Sequence, residues 1–445
     1  MQSTSLSRRT FLKSAALSAA GLALVACAAP MAPSAGESGQ AAPAGEAVEI
    51  VHFDRNIPQD IDFRTELAER FHEQNPNITV KIEVMPEDYA ATLITRLASG
   101  TAGDCYRSAT HWGIVDLVLR NVFQPLDEFV EQDGYDLAVY FPGAIESCRI
   151  EGKLYALPVN GHPGWSGIYY QPELFAEAGV DEPTDSWTYD DMLDAALRLT
   201  KRNGDQVDVY GLWLAPFVEA SLTPMSAFGG WPISEDGTKA MYDDPNTIAS
   251  IQWMRDAMNE HQVALQNPTF ASRVELWSSR KVAMVLSGIW EGSYLGDATP
   301  DGATMKLATG PIGPSGQRGG FAGVNIFPIL SSSQHKDEAW QWQKFICSKE
   351  VGIENVSRIG EPGLRSDVWE DPKLIDDPLV KPHFELLQVV RPMAMPANGR
   401  LAEAKNALQQ IYSAIWLDEL TVADGCAQAQ EALQAILDQP RPGEA

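Results

Sequence analysis

At 445 residues the chain exceeds the roughly 250 to 300 at which one hydrophobic core stops growing, so two lobes or domains are expected. With 44% hydrophobic and 21% charged residues it has a globular composition, which excludes wholesale disorder. The 60 Asp and Glu outnumber the 33 Lys and Arg, and no basic run occurs, which excludes a nucleic-acid binder that must neutralise phosphates.

The N-terminus reads as an address. Arg8, Arg9 and Lys13 precede an apolar stretch from Ala15 to Ala26 that no acid interrupts, too short to remain as a span across a membrane of about 30 Å. Ser7-Arg8-Arg9-Thr10-Phe11-Leu12-Lys13 resembles the twin-arginine export consensus, and Leu24-Val25-Ala26-Cys27 resembles a lipobox. Residues 1–27 are therefore expected to be a lipoprotein signal peptide, with Cys27 the lipidated residue holding the chain to a membrane outside the cytoplasm. Residues 28–46 are Ala, Pro, Gly and Ser varied by little else, the composition of a flexible tether.

Strand and helix patterns then alternate. Val48 to Phe53 reads as a strand and Asp62 to Asn75 as a helix, with Phe63, Leu67, Ala68 and Phe71 at helical spacing. Asn75-Pro76-Asn77 breaks that helix, Ile78 to Val84 is a second strand, and Asp88 to Leu97 a helix stopped by Ser99-Gly100. Such alternation implies parallel strands with helices on their faces. Gly179 fits a helix C-cap, and Thr188 fits the N-cap of a helix whose first turn carries Asp190 and Asp191. Cys105, Cys148, Cys347 and Cys426 match no zinc or haem spacing, and disulfides or buried free thiols both fit them.

Longer strings resemble one family. ELAERFHEQNPNITVKIEVMPEDYAATLITRLASGTAGD, IEGKLYALPVN, IYYQPELFAEAGVDEPTDSWTYDDMLDAALRLT, WSSRKVAMVLSGIWEG and GGFAGVNIFPILSSSQHKDEAWQWQKFICSKE occur in that order. They resemble successive segments of the family 1 extracellular solute-binding proteins, the group that includes maltose-binding protein, over about residues 47–440. Gln171, Ser186, Cys105 and Tyr106 depart from its usual residues. The resemblance implies an α/β fold of the type II periplasmic-binding-protein kind: two α/β lobes, a hinge and a ligand cleft between them. One lobe is expected from residues 47–160 plus about 324–363, the other from 161–323 plus about 364–445, with crossings near Asn160, Gly323 and Gly363. It also implies the substrate-binding subunit of an ABC importer, a monomer that takes a sugar and docks on membrane permease subunits.

Candidate ligand-binding residues follow from that geometry, because ligands gather at the carboxyl ends of strands and beside crossings. An indole can cover the apolar face of a pyranose, and Trp112, Trp165, Trp213, Trp231 and Trp290 sit in loop or post-strand positions; core packing is the competing reading for each. Asp54 and Arg55 follow the first strand, and Asn160 and His162 mark the first crossing. Glu291 follows Trp290, Asn325 lies in a glycine-rich return, and Glu361 and Arg365 flank the third crossing, where Arg365 equally suits a pair with Asp367. Trp253, Trp340 and Trp342 fall in helical patterns and read as packing.

An enzyme is not expected. The chain has no Gly-x-Ser-x-Gly, His-Glu-x-x-His, phosphate-loop or dinucleotide fingerprint. Its seven His never fall three or four apart, so neither a local metal site nor a cofactor is expected. Tyr169 and Tyr170 would point to opposite faces of a strand and so cannot jointly hold a metal.

Overall fold

The computed structural model describes residues 47–85, 89–110, 113–393 and 395–442. The export signal, Cys27, the tether and Trp112 lie outside these residues.

The chain enters through β1 (Val48–Arg55) and β2 (Ile78–Met85), then the short β3 (Cys105–Tyr106) and β4 (Ser108–Ala109), the hairpin β5 (Arg149–Ile150) with β6 (Lys153–Leu154), and β7 (Pro158–His162). A second group follows: β8 (Gly167–Tyr170), β9 (Lys201–Asn203), β10 (Gln206–Trp213), β11 (Val282–Ser287) and β12 (Lys306–Thr309). The chain returns through β13 (Gly323–Ile326). β2, β1 and β3 form a parallel sheet with β1 in the middle, and the second group forms a five-stranded sheet in the order β12-β8-β11-β10-β9. Antiparallel β4-β13-β7 forms a third sheet, pairing Asn325 with Asn160 and Gly323 with His162.

Local chemistry sets the elements. The first helix, Pro58–Gln74, starts a turn earlier than its apolar spacing implies, because Pro58 occupies the first helical position, where its fixed φ suits the helix and its missing N–H costs nothing. Thr188 and Asp191 form a reciprocal capping box on the helix Tyr189–Leu199, and Gly179 ends the preceding helix at φ 64°. β11 is buried at every position, as a central strand covered on both faces must be.

Two apolar cores result. The first joins β1 and β2, the helix Pro58–Gln74, β7, β13 and the helix Lys336–Ile346 through Phe53, Phe63, Val159, Ile326 and Trp342. The second lies on one face of the five-stranded sheet and takes in the C-terminal helices Leu401–Trp416 and Val422–Leu437 through Tyr412, Trp416 and Leu433. A smaller cluster with Tyr169, Trp213 and Trp277 covers the opposite face. Adjacent Tyr169 and Tyr170 do fall on opposite faces.

The third crossing lies later than expected. Leu364, Val368, Trp369, Leu374 and Val380 all pack in the first core, so residues 364–380 belong with the first lobe, while the helix Lys381–Leu387 touches both, with Leu387 in that core and His383 against Tyr169. Gly363 serves close packing instead of a crossing: a Cβ there would stand 2.8 Å from the Cα of Gly352, and its N–H donates to the Gly352 carbonyl at 3.0 Å. The chain changes lobe between Leu387 and Met393. There the Ala322 N–H donates to the Arg391 carbonyl at 2.8 Å, so the second and third crossings run side by side, next to β7. Cys105, Cys148, Cys347 and Cys426 are free and buried. Among the described residues no helix is long and apolar enough to cross a membrane.

A candidate ligand cleft between the lobes

The sheet β4-β13-β7 floors a cavity of about 430 Å³ whose walls come from both cores. Arg55, Asp60 and Glu361 stand on the side of the first lobe; Phe270, Trp290 and Tyr294 stand on the side of the second; His162, Trp165 and Asn325 lie at the crossings.

The first-lobe wall is a charged network set at the end of β1. Asp54 is fully buried, with the Arg64 Nε at 3.3 Å, the Arg107 Nε at 3.6 Å and the His52 Nε2 at 3.8 Å. Asp60 pairs with Arg55 at 2.5 Å and with Arg107 at 3.7 Å, and Glu361 accepts a hydrogen bond from Asn325 Nδ2 at 2.6 Å. Asp54, Asp60 and Glu361 thus offset Arg55, Arg64 and Arg107, and both buried guanidiniums, Arg64 and Arg107, lie over the Phe327 ring. Burial alone would raise the Asp54 carboxyl; Arg107, the neighbouring His52 and Arg64 outweigh it and hold it well below the usual carboxylate range. Glu361 goes the other way: burial raises it, and Arg55 and Arg107 only partly offset that. Burial also lowers His52.

The second-lobe wall is aromatic. Trp290 stands at the start of the helix Glu291–Ala298 that follows β11, and meets His162 edge-on at 4.8 Å and Trp165 at 5.1 Å. Phe270 and Tyr294 are 41% and 45% exposed, uncommon for large rings, and both face this cavity. Ile289, one residue before Trp290, packs into the first core, so this loop reaches across between lobes. His162 is buried and its pKa lowered by that burial to about 3.

The sequence candidates divide by place. Arg55, His162, Trp165, Trp290, Asn325 and Glu361 line the cavity. Asp54, Asn160 and Glu291 are fully buried, so none of them can touch a ligand directly in this conformation. Trp213 is fully buried within the second lobe, its Nε1 donating to Ser272 Oγ at 3.3 Å; although it ends a strand, it fills the space under the helix Phe270–Ser278. Arg365 takes its alternative role, a two-pronged pair with Asp367 at 2.8 and 3.0 Å, outside the cavity lining. Trp231 lines a separate pocket of about 650 Å³, also between residues of both lobes, where the Arg391 guanidinium lies 3.9 Å from its ring centroid. Asp60, Phe270 and Tyr294 were missed. Tyr294 stands four residues after Trp290, a spacing that shares a helix face and could have flagged it.

Sequence and fold comparisons agree with this architecture. The profile of the bacterial extracellular solute-binding protein family matches residues 58–353. The chain belongs to that family. This solute-binding protein is 22% identical over 365 residues to the maltotriose-binding protein of Pyrococcus abyssi, covering 81% of this chain and 76% of the relative. Its fold matches the sugar-binding protein MalE of Xanthomonas citri with a TM-score of 0.75 at 19% identity, over 88% of this chain and 97% of the other. It matches an ABC substrate-binding protein of Listeria monocytogenes, solved in complex with cycloalternan, with a TM-score of 0.74 at 19% identity, over 88% and 99%. The fold is thus the type II periplasmic-binding-protein arrangement of two hinged α/β lobes with a cleft.

Proposed function

We propose that this solute-binding protein takes a sugar in the interlobe cleft and delivers it to the permease of an ABC importer. The observation that carries the reading is the unlikeness of the two walls. Phe270, Trp290 and Tyr294 offer apolar ring faces on one side, and Arg55, Asp60 and Glu361 offer donors and acceptors on the other. A pyranose is divided the same way, with C–H faces and a hydroxyl rim. The maltotriose and cycloalternan named for two relatives are sugars, which supports the class of ligand and leaves its length open.

Ligand contacts made to both walls at once exist only when the lobes are together, so binding shifts the population toward the closed form that a permease pair would recognise. We infer that the protein works as a monomer and catalyses nothing, and that Cys27 tethers it to a membrane outside the cytoplasm through residues 28–46. Calorimetry against a panel of mono- and oligosaccharides, with product analysis of each mixture, tests the reading. Saturable heat without hydrolysis is expected; no binding by any member, or hydrolysis of one, would overturn it. Metabolic labelling with a fatty acid, lost in Cys27→Ala, tests the anchor.

A further inference from the structure

Two aromatic rings of the second-lobe wall share one buried neighbour, which reaches a third ring, Trp290, through a carboxylate. Arg273, 2% exposed on the helix Phe270–Ser278, has its guanidinium carbon 3.4 Å from the Phe270 ring centroid and 5.4 Å from that of Tyr294. Its Nη1 donates to the Phe270 carbonyl, and its Nε donates to Glu291 Oε1. That same oxygen accepts from Ser287 Oγ at 2.9 Å and from the Trp290 indole Nε1 at 3.1 Å. Glu291 is fully buried, and its Oε2 has no hydrogen-bond partner among the described residues.

We propose that Arg273 is the positioning residue of the aromatic wall: it supports Phe270 and Tyr294 by stacking and sets the Trp290 indole through Glu291. The proposal rests on reading the cleft as the ligand site, and it gives Glu291 a part other than ligand contact. A planar guanidinium can stack on two rings while its edge donates to a carboxylate; an ammonium of equal charge cannot do both, so Arg and Lys are not interchangeable here. Without the carboxylate the indole N–H has no partner on that side, and the ring is free to leave the plane that faces the cavity. Precise support of contact groups by packed neighbours is what makes a site stiff enough to bind.

The test uses the full chain with ¹⁵N-labelled indoles, the Trp290 N–H resonance being identified by its loss in Trp290→Phe. In Arg273→Lys and in Glu291→Gln that resonance is expected to move. The N–H resonances of Trp213, which donates to Ser272 beside Arg273, and of Trp277, which donates to Thr299, are expected to stay. Ser287→Ala, a milder change that removes a competing donor at the same oxygen, should also move it and serves if either other variant fails to fold. Maltotriose is the binding probe: its Kd should rise about ten-fold in Glu291→Gln, and that rise should shrink in a Trp290→Phe background, where no indole N–H remains and only the support of Phe270 and Tyr294 is lost. An unmoved Trp290 resonance, a shift of all three together, or an undiminished effect in the Trp290→Phe background would overturn the proposal. If the unmutated chain ignores maltotriose, that counts against the ligand reading, and the resonances still decide the role of Arg273.

Discussion

Replacing Asp54 by Ala should be among the most destabilising single changes in the first lobe. The carboxylate is fully buried, with guanidinium nitrogens at 3.3 and 3.6 Å, and neither Arg64 nor Arg107 is more than 2% exposed. At an effective dielectric of about 20, each pair at that distance carries roughly 4–5 kcal/mol of attraction before desolvation is charged against it. Removing one partner of a buried ionic cluster typically costs about 3–5 kcal/mol, because the charges left behind have nowhere to go. Asp60 can answer Arg107 in part at 3.7 Å, which argues for the lower half of that range. Urea unfolding should therefore show a midpoint lowered by about 1 M for a slope near 3 kcal/mol/M. Glu354→Ala is the contrast: its pair with Arg70 is shorter still, at 2.7 Å, but the carboxylate is 37% exposed, and exposed pairs contribute about 1 kcal/mol or less. If Asp54→Ala lost no more than Glu354→Ala, the claim that this cluster is dry and mutually dependent would be refuted.

The same cluster and the hinge set the response to acid. Asp54 titrates lower folded than unfolded, so its contribution is complete above the unfolded value near 4 and fades as pH falls below it; the penalty of Asp54→Ala should shrink in melts at pH 3. His162 and His383 are buried neutral with pKa lowered to about 3 each, His383 against Ser166 and Tyr169. The unfolded chain binds their protons first, so stability should drop between pH 6.5 and 3, by about 1.4 kcal/mol per pH unit for each His, and His383→Gln should flatten that slope by about one proton. Trp290→Ala should weaken ligand binding about 30-fold, the loss typical of a central aromatic anchor; calorimetry would expose a smaller role if the change were under three-fold. Gly323→Ala would place a Cβ 2.1 Å from the His162 ring, and thermal unfolding should register roughly 1–3 kcal/mol of overpacking.

Periodicity made β1, the helix Pro58–Gln74 and β2 legible, because each buries one face and says so in its spacing. The lobe boundary after β13 was not legible. Whether Val368 and Trp369 face one core or the other depends on where Gly352 and Gly363 let two backbones meet, a contact no local pattern encodes. Position after a strand pointed to Arg55 and Trp290, which line the cavity, and misled for Trp213, which ends β10 but is covered by a helix some 60 residues further on. Phe270 went unseen because it starts a helix, where an aromatic ordinarily turns inward.

The three lobe crossings lie abreast, with β7 paired to β13 and the Arg391 carbonyl bound to Ala322. Neighbouring straps of this kind resist shear and twist far more than bending, so relative movement is confined to something near a single angle. A search along one coordinate finds the closed arrangement quickly and gives up little orientational freedom on reaching it.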